Sequence, residues 1–176
     1  MSSAHQPPPS SSNFQSILNA ALKEYKKKTG KELTTHPLFA ELQNCRSPDS
    51  ILAVLQEQAR IFDGSRGGNE RLMMWLTPTV NILYSFSATL GEGVGLVFSP
   101  AKVIFAGIGV LLMAAKGVGS SQDALLSLFE RIENFFKRLQ AYTEVPPTAA
   151  MTHIIVKIMA EVLSILAIAT KRLNRN

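Results

Sequence analysis

The stretch GVGLVFSPAKVIFAGIGVLLMAAKGVG, from Gly93 to Gly119, contains only two charged residues, Lys102 and Lys116. A membrane-spanning helix needs about 20 apolar residues, whereas the uncharged run 103–115 would form only about 20 Å of helix. Extending the run back to Gly93 would bury Lys102 in lipid at a cost of about 3 kcal/mol. We therefore expect a core helix that begins at Pro100, behind Ser99, and not a permanent membrane span.

A second apolar segment, Leu72–Gly91, precedes this stretch and carries no charged residue. Its many Thr and Ser residues indicate a buried central helix, which Pro78 should kink or interrupt. The sequence GEGVG at 91–95 separates the two segments, because three glycines in five positions disfavour both helix and strand. We expect a central apolar helical hairpin that clustering could release into a membrane. Its candidate hinge and insertion residues are Gly91, Gly93, Gly95, Pro100, Lys102, Gly107, Ile108, Gly109, Leu111 and Lys116.

The N-terminal flank shows apolar residues at three-and-four spacing, which predicts a helix over Asn13–Lys28 with Asn13 as its N-cap. Thr35 or His36 before Pro37, and Ser47 before Pro48, each place a capping side chain ahead of a proline at the first helical position. The second of these helices should reach about Phe62. A further helix should follow GSRGG at 64–68, with Asn69 as its cap.

The C-terminal flank predicts two more helices. The first has an apolar stripe of Leu125, Phe129, Ile132, Phe136 and Leu139, widened by Leu128 and Phe135, behind a capping box of Ser120 and Asp123. We expect Glu133 and Lys137 to form an exposed ion pair, and Glu130 to share the solvated face with Glu133. The last helix should run from about Thr148 to Leu173, after Pro146 and Pro147.

Together these segments predict an all-α protein, a compact bundle of about six or seven helices. We expect residues 1–12 to be a disordered lead-in, 13–173 to be the domain, and 174–176 to be a tail or the start of a linker. The N-terminal sequence has neither the basic start nor the apolar run of a signal peptide, and Cys45 is the single cysteine. A reducing compartment, the cytoplasm, is therefore expected.

The sequence offers little for catalysis. The single Gly-Lys pair, Gly30-Lys31, lacks the rest of a phosphate-binding loop, and the three histidines are far apart in the chain. Cys45 is best interpreted as a small buried apolar residue. We expect no enzyme activity, cofactor, metal, small-molecule substrate or nucleic-acid partner. The net charge of +5 fits simple solubility, and it would also attract an anionic lipid membrane or RNA without choosing between them. The candidate lipid-facing residues Lys26, Lys27, Lys28 and Lys31 could equally serve only to complement a helix C-terminus.

Two blocks carry a family resemblance: GEGVGLVFSPAKVIFAGIGVLLMAAKGV at 91–118 and LFERIENFFKRLQAYTEVPPTAAMTHIIVKIMAEVLSILAIATK at 128–171. They closely resemble the fungal STAND N-terminal Goodbye domain, over about Phe14 to Arg172. The resemblance implies a non-catalytic effector at the front of a NOD-like receptor, ahead of an NTPase module through which copies self-associate. It brings no catalytic residues.

The resemblance further implies programmed cell death linked to non-self recognition, since the related HeLo-type domains are thought to permeabilise membranes when clustered. The polar, proline-rich N-terminus differs from the apolar first helix of HeLo domains, which argues against insertion at that end. An adaptor that recruits a partner helix without touching lipid is the alternative. The chain fits either a truncated receptor or a stand-alone effector.

Overall fold

The computed structural model describes residues 11–60, 68–90, 100–115, 122–141 and 148–175, and within these ranges the chain is helical with no strand. The prediction of an all-α bundle is confirmed. The elements are α1 (Ser11–Thr29), a 3-10 helix (Leu33–Thr35), α2 (Pro37–Gln43), α3 (Pro48–Arg60), α4 (Gly68–Leu90), α5 (Pro100–Ala115), α6 (Gln122–Leu139) and α7 (Ala149–Asn174).

Three helix starts are capped by side chains; the sequence indicated two of these caps, His36 and Ser47, whereas it marked Thr148 only as the approximate start of the last helix. The His36 Nδ1 accepts a hydrogen bond of 3.1 Å from the backbone N–H two residues later, at the start of α2. Ser47 Oγ accepts from the N–H three residues later at 3.2 Å, and Thr148 Oγ1 does the same at 3.1 Å for α7. Each bond satisfies an N–H that has no partner within its helix.

Two predicted caps are wrong. Asn13 lies inside α1, which includes Ser11, and Asn69 lies inside α4, which includes Gly68. Asparagine is tolerated in a first turn because the N–H groups there have no intrahelical partners to lose. The predicted capping residue Ser120 and the predicted helix end Phe62 lie outside the described residues.

Of the kink or interruption expected at Pro78, the interruption does not occur, since α4 runs continuously from Gly68 to Leu90. Proline has no N–H to donate to the carbonyl four residues earlier, which belongs to Met74. Met74 is 71% exposed, so water can reach that part of the helix and replace the missing donor. Access of water therefore reduces the cost of the proline.

The central position in the bundle belongs to α5, in which thirteen of sixteen residues are buried. It packs against α7, α2, α3, α4 and the 3-10 helix. Two glycines permit this close approach. A Cβ on Gly107 would lie 3.2 Å from Leu166 Cδ1 on α7, and a Cβ on Gly109 would overlap Leu38 Cδ2 on α2. The expectation of a core helix with close neighbours is confirmed.

Helices α1 and α7 pack side by side and run in the same direction. Phe14 and His153, near the two N-terminal ends, have ring centroids 6.1 Å apart, and Lys28 Nζ donates to Ser164 Oγ at 3.5 Å further along. Tyr25 and Thr170 are fully buried, and neither hydroxyl makes a hydrogen bond of ordinary geometry among the described residues. Burial raises the pKa of Tyr25 to about 12, despite a favourable interaction with Thr170.

Helix α6 packs mainly on α4, and the rings of Phe136 and Phe86 lie 6.2 Å apart. The expected exposure of Glu133 is wrong: it is only 5% exposed, although it does pair with Lys137. Leu126 and Glu133 are buried on one flank of the stripe, whereas Phe135 on the other flank is 37% exposed. The covered face of α6 is therefore rotated relative to the predicted stripe. Glu130 is exposed, as expected.

Candidate functional site

The structure places the described insertion candidates inside the core. Pro100, Gly107, Ile108, Gly109 and Leu111 are buried along α5, and Ile108 and Leu111 are fully inaccessible to solvent. The remaining candidates on either side of α5 lie outside the described residues; these are Gly91, Gly93, Gly95 and Lys116. Among the described residues of α5, Met113 is the one large apolar side chain on the surface of the bundle, at 38% exposed.

Lys102, near the start of α5, is half-buried, and its Nζ donates to the backbone carbonyl of Gln43 at 2.9 Å. Gln43 is the last residue of α2, where carbonyl groups have no partner within the helix. Burial lowers the pKa of Lys102; the nearby Cys45 acts in the opposite direction and Arg46 lowers it further. The lysine thus joins α5 to α2 and is more than a charge that prevents insertion.

The four candidate lipid-facing lysines lie together at the end of α1 and just beyond it. Lys26 pairs with Glu32 at 3.2 Å, and Lys28 lies 3.8 Å from Glu24. Lys27 is exposed and Lys31 is half-buried. Two of the four cations therefore have acidic neighbours, which weakens the attraction of this region for an anionic surface.

Sequence reasoning missed the exposed apolar side of α7. Among the described residues, Ile154 is 55% exposed, Ile165 43% and Ile168 42%, while Ile158 is half-buried between them. The four isoleucines follow one another at a spacing of three, four or seven residues, so they lie on one face. That periodicity was the available signal, but an apolar face is equally typical of a buried helix.

An apolar groove of about 540 Å³ lies between α6 and α7. Leu128 forms part of its α6 side, and Ile165 and Ile168 form part of its α7 side. Arg131 and Arg172 also line it, and no acidic residue does. The groove is therefore suited to an apolar helix surface and has little of the polar, convergent chemistry of a catalytic cleft.

Within the described part of the chain, α7 is the one helix with the length and composition to cross a membrane. Residues Ala150–Asn174 span 25 positions and contain an 18-residue window with a mean hydropathy of 1.9, whereas α5 is shorter. The apolar window of α7 is 44% buried, and the core helix of a water-soluble bundle can meet the same criteria. Among the same described residues, no group of three acidic, histidine or cysteine side chains could hold a metal ion.

A helical bundle that presents an apolar helix face and an apolar groove has the features of an interaction domain. The fungal STAND N-terminal Goodbye domain matches residues 18–142, and the chain belongs to that family. It is thus a regulatory N-terminal effector domain of the STAND receptor class. No curated protein and no solved structure matches the chain. The matched residues end before α7, so the exposed isoleucines lie outside the matched region.

Proposed function

We propose that this domain is a non-enzymatic cytoplasmic effector that acts when its receptor's NTPase module brings several copies together. The outcome is programmed cell death in response to non-self recognition. One observation carries the proposal: the bundle buries almost all of α5 but leaves Ile154, Ile165 and Ile168 of α7 open to solvent. Exposed apolar residues on one helix face favour contact with another macromolecule, without any unfolding.

The alternative starting event, release of α5, is energetically demanding. Insertion would separate α5 from five packing partners and break the Lys102 contact with α2. Each buried aliphatic side chain contributes about 1.5–3 kcal/mol relative to its exposed form. Contact through the exposed surface therefore comes first, and any later rearrangement would depend on it.

Inducible clustering tests the proposal. The full chain is fused to a module that oligomerises on addition of a small molecule, and fungal cells that express it are followed by viability staining. Cell death that requires both the domain and the inducer is the expected result. Cells that survive clustering, or that die equally without the inducer, would exclude proximity as the trigger.

Membrane permeabilisation is a second candidate for the step that follows clustering, favoured by the length and hydropathy of α7. Dye release from anionic vesicles by the clustered domain would measure it. Charges at Ile108 or Leu111 are unsuitable, because both side chains have no exposed surface and their replacement would unfold the bundle. Ile165→Lys and Ile168→Lys are exposed alternatives on the surface in question.

Met74→Lys is the matched control, since Met74 is an exposed apolar residue on α4. Permeabilisation through α7 would be supported if dye release is lost with the two α7 variants and retained with Met74→Lys. Intact vesicles, together with cell death on clustering, would instead favour recruitment of a downstream partner.

A further inference from the structure

The outward side of α7 carries two opposite charges around an apolar centre. Glu161, Ile165, Ile168 and Arg172 are all exposed and follow at spacings of four, three and four residues. Eleven residues of helix bring the side-chain directions back to within about 20° and span about 16 Å. The four residues thus form one straight surface, here called the α7 seam, with an acid at one end and a base at the other.

The described part of the domain supplies no salt-bridge partner for either charge. Glu161 is the only acidic residue of α7. Neither Glu161 nor Arg172 belongs to an ion pair formed among the described residues. The seam therefore presents an unpaired carboxylate and an unpaired guanidinium on either side of two exposed isoleucines, an arrangement that is complementary to itself when reversed.

We propose that the α7 seam is a docking surface for a second copy of this chain, with the two α7 helices antiparallel about a two-fold axis. In this arrangement Ile165 of each copy meets Ile168 of the other, and Glu161 of each copy pairs with Arg172 of the other. A two-fold interface requires such reciprocal contacts, in which residue i meets residue j and j meets i.

The direction and register follow from the charges. A parallel pair in register would place Glu161 against Glu161 and Arg172 against Arg172, which is unfavourable. Sliding the antiparallel pair by one heptad would place the carboxylate of Glu161 against an isoleucine and leave it without a partner. The register that joins the two isoleucine positions is the one that also satisfies both charges.

The groove between α6 and α7 gives the second copy room to approach. Its α6 side includes Leu128 and its α7 side includes Ile165 and Ile168, so the groove opens beside the apolar centre of the seam. An incoming α7 can lie along the seam and cover part of Leu128. The apolar contact is small for a stable dimer, which typically buries about 800 Å² on each partner.

A weak interface of this kind suits a domain that must stay inactive until several copies are brought together. Receptor oligomerisation raises the local concentration to about the millimolar range, where a weak reciprocal contact forms. The inference deepens the proposed function and rests on it for its biological use. The pairing itself is a property of the isolated chain and is measured without receptor or membrane.

Charge reversal tests the seam. Wild type, Glu161→Arg, Arg172→Glu and the double variant are compared by sedimentation velocity from about 10 µM to about 1 mM. Each single reversal puts like charges at both ends of the interface, so the dissociation constant of the dimer should rise at least about tenfold. The double reversal restores both pairs with opposite polarity and should recover dimerisation. Thermal melts followed by circular dichroism verify that these exposed substitutions leave the fold intact.

Three results would each overturn the seam. These are equal self-association of all four proteins, a monomeric state for all four, and failure of the double variant to recover dimerisation. The forced-clustering assay separates this failure from failure of the function. Cell death on clustering, without charge-dependent pairing, would reject the seam and keep the effector function. Charge-dependent pairing, together with survival of cells in which the domain is clustered, would keep the seam and reject the effector function.

Discussion

Replacement of Gly109 by alanine measures how tightly α5 is held in the core. In an exposed helix this substitution would stabilise the protein by about 1 kcal/mol. Here the new Cβ would overlap Leu38 Cδ2 and lie 3.4 Å from Leu38 Cγ, and Leu38 is itself buried on α2. Overpacking in a core costs about 1–3 kcal/mol, and an overlap with an immobilised leucine belongs at the upper end.

The expected result is a net loss of about 2 kcal/mol in the free energy of unfolding, or a fall of about 4–8 °C in Tm for a domain of this length. Gly107→Ala is the matched control. Its Cβ would approach Leu166 Cδ1 at 3.2 Å and Leu163 Cδ1 at 3.4 Å, so small shifts can accommodate it. Its stability should remain within about 1 kcal/mol of wild type.

A double-mutant cycle identifies the cause. Leu38→Ala removes the overlapping atoms, so Gly109→Ala should become stabilising by about 1 kcal/mol in that background. Chemical unfolding in urea, with circular dichroism as the readout, gives all four free energies. If Gly109→Ala alone is as stable as wild type, or if Leu38→Ala fails to reverse its effect, the close approach of α2 to α5 is not what the structure indicates.

Three further substitutions test single contacts. Burial raises the pKa of Tyr25 to about 12, so the folded state favours the neutral hydroxyl and stability is lost as the pH rises through about 10 towards 12. By about pH 11, wild type should lose about 1 kcal/mol more of its free energy of unfolding than Tyr25→Phe, as measured by urea titration. Parallel stability curves for the two proteins would refute this. Lys102→Met should lower the free energy of unfolding by about 1 kcal/mol, measured by the same method, because a carbonyl of α2 loses its hydrogen-bond donor. The same variant should leave dye release from vesicles unchanged. Increased dye release would show that α5 enters the membrane. Lys137→Ala removes the partner of the buried Glu133 and should lower the free energy of unfolding by about 1–2 kcal/mol. Arg138→Ala, at the exposed neighbouring residue, should lower it by only a few tenths of a kcal/mol. Equal losses would contradict the burial of the Glu133 carboxylate.

Much of the fold could be predicted because its signals are local. The thirteen-residue apolar run between Lys102 and Lys116 is too short to span a bilayer, and it is the most deeply buried helix of the described chain. The caps His36 and Ser47 were predictable because a polar side chain just before a helix satisfies its first N–H groups. Such features depend on a few neighbouring residues.

The rest depends on how helices meet, which periodicity alone does not determine. Glu133 is buried and Phe135 is exposed because the face of α6 that packs on α4 is rotated relative to the apolar stripe. The apolar residues of α7 surround the helix, with Val162 and Leu166 buried and Ile165 and Ile168 exposed, so the sequence could not tell which side faces solvent. The candidate hinge glycines stay a prediction, since they lie outside the described residues.

The packing of α7 against α5 and α1 has a consequence for biosynthesis. Ribosomes add about 5–20 residues per second, so roughly 3–12 s pass between completion of α5 and completion of α7. During that interval the Gly107 side of α5 and the Phe14 side of α1 lack the helix that covers them. The nascent chain thus leaves one side of α5 uncovered until α7 has been made, and we expect chaperones that bind apolar segments to be needed during translation.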